Sequence, residues 1–116
     1  LFVLTLDHIP TGCGMWPAFW MFGHDGDHAW PVWGEFDIIE GVHRATKVST
    51  TLHTSPGCDQ SRHEFGAGSY FTGGWNMGTT RAATSCRVEA EGQFYNQGCS
   101  QHGPEGSIGA DFNVQG

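Results

Sequence analysis

The chain has 116 residues, with 12 Asp and Glu against five Lys and Arg and a formal net charge of −7. A balance this acidic excludes readings that depend on clustered cations, so neither a nucleic-acid backbone nor an anionic membrane surface is an expected partner. No apolar run approaches the roughly 18 residues of a membrane span, and the length suits one domain with a modest core.

In chain order, Leu1–Leu6 alternates weakly and reads as a strand, and Thr11-Gly12-Cys13-Gly14 reads as a turn. Pro17–Phe22 is a short apolar run, predicted as a buried strand because it is too brief for a typical helix. His24, Asp25, Asp27 and His28 then invite a metal reading. They lack the ordered twelve-residue calcium loop and the H-E-x-x-H spacing of a catalytic zinc, so a solvated loop is expected and no metal site is assigned.

The hexapeptide Glu35-Phe36-Asp37-Ile38-Ile39-Glu40 sets three carboxylates inside an apolar run. Side chains at i and i+2 of a strand share a face, so Glu35 and Asp37 are neighbours while Glu40 points away. If Ile38 or Ile39 is the extra residue of a β-bulge, Glu40 returns to their face, and bulges are over-represented beside active sites. Clustered carboxylates raise one another's pKa and titrate as a group. One protonated and one ionised acid is the equipment of a glycoside hydrolase.

Lys47–Thr54 is β-branched with alternating faces and is predicted to pair with the acidic strand, from which His53 would donate to Asp37. Beyond Ser55 the pattern weakens. Cys86–Ala90 and Gln93–Tyr95 are the best strand candidates, separated by turns such as Gly73-Gly74, Asn96-Gln97-Gly98 and Gly103-Pro104. His63-Glu64 has no second histidine at i+4, which removes the zinc-helix reading. Cys13, Cys58, Cys86 and Cys99 contain no C-x-x-C, and an even count in a glycine-rich chain suggests disulfides, with three connectivities possible and at least one bridge expected among the last three.

Gly34-Glu35-Phe36-Asp37-Ile38-Ile39-Glu40-Gly41 resembles the catalytic strand of glycoside hydrolase family 16, the laminarinase-like enzymes that cut β-glucans. The likeness extends to Gly12-Cys13-Gly14 and Trp16-Pro17-Ala18-Phe19-Trp20 upstream, and to Thr51-Leu52-His53-Thr54 with Gly57-Cys58-Asp59 downstream. It is most similar to the fungal endo-1,3(4)-β-glucanases. The resemblance implies an all-β antiparallel sandwich of jelly-roll, concanavalin-like form, and, since family domains are about twice as long, an internal fragment of a single catalytic domain over residues 1–116. It implies Glu35 as nucleophile, Asp37 as its helper and Glu40 as general acid/base. Trp30 occupies the position of a sugar-contacting tryptophan, and Phe19 that of a second cleft tryptophan. His43 stands where relatives carry Asn.

The implied activity is endo-cleavage of β-1,3 or mixed β-1,3/1,4 glucan with retention, needing no cofactor, by a secreted monomer whose partner is the polysaccharide. Retention asks for carboxyl groups about 5 to 5.5 Å apart, so twist and the bulge are expected to draw Glu35 and Glu40 together. The rivals are a non-catalytic carbohydrate-binding sandwich and a transglycosylase on the same scaffold.

Overall fold

The computed structural model describes residues 1–60 and 83–115. Its elements are β1 (Ala18–Phe22), β2 (Glu35–Glu40), β3 (Ser49–His53), β4 (Cys99–His102) and a short helix α1 (Ala110–Gln115). The four strands form one antiparallel sheet in the order β1-β2-β3-β4, as expected for an all-β chain. The turns expected at Gly73-Gly74 and the His63-Glu64 pair lie outside the described residues.

The sheet grows outward from β2. On one side Phe19 pairs with Ile39 and Trp20 with Asp37, so two adjacent residues of β1 oppose three of β2. On the other side Asp37 pairs with Thr51 and Glu40 with Ser49, leaving Thr50 alone opposite Ile38 and Ile39. Both neighbours therefore record the same extra residue in β2. The Thr50 hydroxyl donates to the Ile38 carbonyl at 2.9 Å, which satisfies a group that the interrupted ladder leaves over.

The pleat divides the sheet into two faces. Asp37, Ser49, Thr51, His53 and Ser100 are buried on the polar face. On the reverse, Phe19 and Ile39 line an apolar groove with Leu4, Leu6, Ile9 and Pro17. Cys99, opposite Leu52 in the ladder, bonds to Cys86 in a disulfide, and with Ile9, Ala83, Val88 and Ile108 these cysteines make up the buried apolar core among the described residues. Asn113 of α1 both accepts from the Ile9 amide at 2.8 Å and donates to its carbonyl at 2.9 Å, tying the helix to the first segment of the chain.

Several expectations are corrected. Leu1–Leu6 forms no strand, and Leu1, Phe2, Val3 and Leu4 are exposed; alternation alone does not make a strand without a partner ladder. β1 is present but not buried, since among the described residues it is the outer strand and Trp20, Met21 and Phe22 stand open. Cys86–Ala90 makes only an isolated bridge, between Arg87 and Thr54, and Gln93–Tyr95 enters a turn. The strand of this region is instead the polar tetrapeptide Cys99–His102, whose place is set by pairing with β3. Cys13 and Cys58 are free thiols, so the bridge expected among the last three cysteines is Cys86–Cys99.

Candidate active site

Three rungs cross the polar face. Phe22, Glu35 and His53 form the first; Trp20, Asp37, Thr51 and Ser100 the second; Ala18, Glu40, Ser49 and His102 the third. Without the bulge Glu40 would face the apolar groove. With it, Glu35, Asp37 and Glu40 line one cavity of about 250 Å³, walled by Trp16, His53 and the turn that carries Phe94, Asn96 and Gln97.

Each acid has its own partner. The Trp30 indole donates to Glu35 Oε2 at 2.7 Å, the Trp16 indole donates to Glu40 Oε1 at 2.7 Å, and His53 Nε2 lies 3.2 Å from Asp37 Oδ2. Burial pushes the Glu40 carboxyl above its ordinary range, and the charges of Asp37 and Glu35 push the same way. The Trp16 hydrogen bond and the field of His53 oppose this without cancelling it. Glu40 is thus biased toward holding a proton. Burial alone would lower the His53 pKa, but its hydrogen bond to Asp37 and the charges of Asp37, Glu35 and Glu40 raise it overall. His53 is therefore biased toward the imidazolium, which pairs with Asp37.

Gly98 is part of this support. Its φ of +63° is one that side chains rarely adopt, and a Cβ there would come within 2.8 Å of His53 Nδ1 and closer still to the Leu52 carbonyl. The turn before β4 can lie against the His53 ring only with glycine at this position.

Glu35, Asp37 and His53 bring possible ligand atoms within 4.8 Å of one another. Glu35 Oε2 and Asp37 Oδ2 are already engaged by Trp30 and His53, so the set reads as an acid–base cluster. In the upstream loop, Asp25 turns inward on its own segment, accepting from the amides of Asp27 and His28 and from the Trp33 indole.

The sequence-derived site residues do not all meet. Glu35, Asp37, Glu40 and His53 do. Trp30 reaches Glu35 through its indole nitrogen, while its ring borders a separate recess with Pro31, Thr54 and Tyr95. Phe19 is placed on the reverse face, because the residue paired with Ile39 must point opposite to the one paired with Asp37. The aromatic residues of β1 and its approach that do meet the acids are Trp20 and Trp16, which share a shallow recess with Glu35, Asp37 and Glu40. Sequence reasoning assigned neither a role, although parity counted back from Glu40 through Ala18 would have selected Trp20. His43 adopts φ +57° and accepts from the Gly14 amide through Nδ1. Asn would tolerate the same left-handed backbone.

A family model described as "XgeA-like, catalytic GH16 domain" matches residues 1–116. The chain is 43% identical over its whole length to a probable glycosidase of Schizosaccharomyces pombe, covering 24% of that protein. It is 40% identical over 97% of its length to an endo-1,3(4)-beta-glucanase of Arthroderma benhamiae, covering 22% of it. It thus spans less than a quarter of these curated relatives. Among solved structures, Laminarinase 16A of Phanerochaete chrysosporium, bound to beta-glucans in donor and acceptor sites, superimposes with a TM-score of 0.72 at 32% identity, covering 95% of this chain and 32% of that one. An elongating family 16 beta-1,3-glucosyltransferase gives 0.66 at 37% identity, with 95% and 31% covered. A bulged acidic strand at the centre of an antiparallel sheet, matched over its full length by that model, places the chain in glycoside hydrolase family 16.

Proposed function

We propose that the chain carries the catalytic strand of an endo-acting glycoside hydrolase that cuts β-1,3 or mixed β-1,3/1,4 glucan with retention of configuration. The observation that carries this reading is the convergence of Glu35, Asp37 and Glu40 on one cavity, with Glu40 biased toward its protonated form. Glu40 gives its proton to the glycosidic oxygen as Glu35 attacks the anomeric carbon; the leaving sugar departs and a glycosyl–enzyme ester remains. Glu40, now ionised, takes a proton from water, and the hydroxide released at the anomeric carbon breaks the ester and restores both acids. Asp37, held by His53, lies one rung from Glu35 and orients it. A lectin-like sandwich would need no raised carboxyl pKa, which disfavours the binding-only reading.

The likeness to the glucosyltransferase supports a second reading, in which a sugar hydroxyl replaces water in the second half-reaction. The Cys86–Cys99 disulfide supports a secreted enzyme, since such bonds persist in oxidising compartments, and we take it to act as a monomer.

Glu35→Gln in the full-length protein is the test. It should abolish release of reducing ends from laminarin and preserve binding; turnover at the wild-type rate refutes the assignment. Product length separates hydrolysis from transfer, and the anomer first formed, followed by NMR, reports retention.

A further inference from the structure

Residues at every second position of a strand share a face, so Trp20 and Phe22 of β1 stand on the same side as the acids, Trp20 beside Asp37 and Phe22 beside Glu35. Their rings stack on each other, with centroids 5.4 Å apart and planes 18° apart. His24 continues the row, its ring 6.2 Å from that of Phe22. Trp20 and Phe22 are 47% and 50% exposed, a large open fraction for aromatic side chains on a packed sheet. No charged side chain separates them, because the intervening residues Met21 and Gly23 point the other way or have no side chain.

This row is held in place. The Gly23 amide bonds to the Gly34 carbonyl, and a Cβ on Gly23 would collide with the Trp33 Cβ, so only glycine permits the close approach that ends β1. Beyond His24, Asp25 fixes the loop by accepting from the Trp33 indole at 2.6 Å and from two backbone amides. An exposed aromatic row on an anchored backbone is ready to bind before a ligand arrives.

We propose that Phe22 and His24 extend the acid cavity along β1 as a platform for the pyranose rings of a glucan chain lying beyond the bond to be cut. The inference rests on the glucanase reading given above. Two observations select the ligand. The row is continuous with the acidic recess through Trp20, which lines it. It also presents uncharged ring faces, on which the apolar C–H face of a neutral sugar packs, while the His24 ring nitrogens are suited to hydroxyls.

The test uses the full-length protein carrying Glu35→Gln, so that binding is read without turnover, by retardation of migration in gels containing laminarin. Adding Phe22→Ala or Phe22→Leu should weaken the apparent affinity about two- to tenfold, the range expected for loss of one aromatic contact, and His24→Ala should weaken it less. Phe22→Trp should restore it. In the catalytically intact protein, the same Phe22 variants should lower the ratio of kcat/KM on laminarin to kcat/KM on a laminari-oligosaccharide of three units. Unchanged retardation in Phe22→Ala, or wild-type behaviour of Phe22→Leu, overturns the platform. If the parent releases no reducing ends yet the Phe22 variants still lose retardation, the glucanase reading fails and the platform stands.

Discussion

The carbonyl of Ile38 accepts from the hydroxyl of Thr50 at 2.9 Å, and this single contact seals the irregularity on which the whole acidic face depends. A bulge frees one carbonyl and one amide from the ladder and increases local twist. Here the freed carbonyl finds a side chain on the neighbouring strand, so the extra residue does not have to be squeezed back into register. Thr50→Val should lower stability by roughly 1 kcal/mol through the lost bond, read as a drop in the midpoint of urea unfolding, and Thr50→Ser should recover most of it.

Both neighbours count one surplus residue in β2, and this makes the bulge removable. Deleting Ile38 leaves Glu35, Asp37 and the last glutamate at i, i+2 and i+4 of a regular strand, still on one face. Laminarin hydrolysis should survive the deletion at a reduced rate. Inserting one alanine between Ile39 and Glu40 should abolish it, because that carboxyl then turns to the apolar groove. Equal loss in both variants would show that face parity is not what places Glu40.

Trp16 governs the proton on Glu40. Its indole hydrogen bond is the main influence holding the Glu40 pKa down against burial and the neighbouring charges. Trp16→Phe removes that donor, so the carboxyl should keep its proton to higher pH and the alkaline limb of the kcat/KM profile should move upward. A loss of about tenfold or more in kcat/KM accompanies it, as expected for one hydrogen bond to a charged group. An unmoved alkaline limb would assign that limb to another residue.

β2, β3 and the pairing of His53 with Asp37 were legible in the sequence, because alternation and β-branched residues are local signals and the odd spacing of Glu40 demanded a bulge. Trp20 was not, since which face a β1 residue takes depends on its register with β2, and a one-residue error sends Phe19 to the acids in its place. Cys99-Ser100-Gln101-His102 has no β-branched residue and becomes a strand only because β3 offers it a ladder. Trp16 lies far from Glu40 in sequence and meets it only once the chain is folded.

The Cys86–Cys99 disulfide closes a short loop that carries Phe94, Asn96 and Gln97 to the wall of the acid cavity. Loops of about 15 residues gain roughly 3 kcal/mol from such closure. Reduction, or paired replacement of both cysteines by alanine, should therefore cost about 2 to 4 kcal/mol and lower kcat/KM as the wall loosens. Thermal unfolding with and without dithiothreitol checks the first, and laminarin assays on the paired variant check the second.

His53 links the cavity to stability. Its pKa is raised in the folded protein, since the hydrogen bond to Asp37 and the three surrounding carboxylates outweigh the cost of burial. A raised pKa means that the folded state holds the proton more tightly than the unfolded chain, so the stabilisation is complete below the ordinary value of about 6.5 and is lost as pH rises through the higher folded value. The unfolding midpoint should accordingly fall across that window. In His53→Gln the fall should shrink, because the amide still fills the site but carries no titrating proton. Loss of the His53 field also raises the Glu40 pKa, so both curves are compared in a Glu40→Gln background, where the difference between them isolates the histidine. His53→Gln alone should lower kcat/KM by about tenfold or more, the effect of losing a charged hydrogen bond to Asp37. Curves that stay parallel across neutral pH would show that His53 is neutral in the folded state and that Asp37 is held by geometry alone.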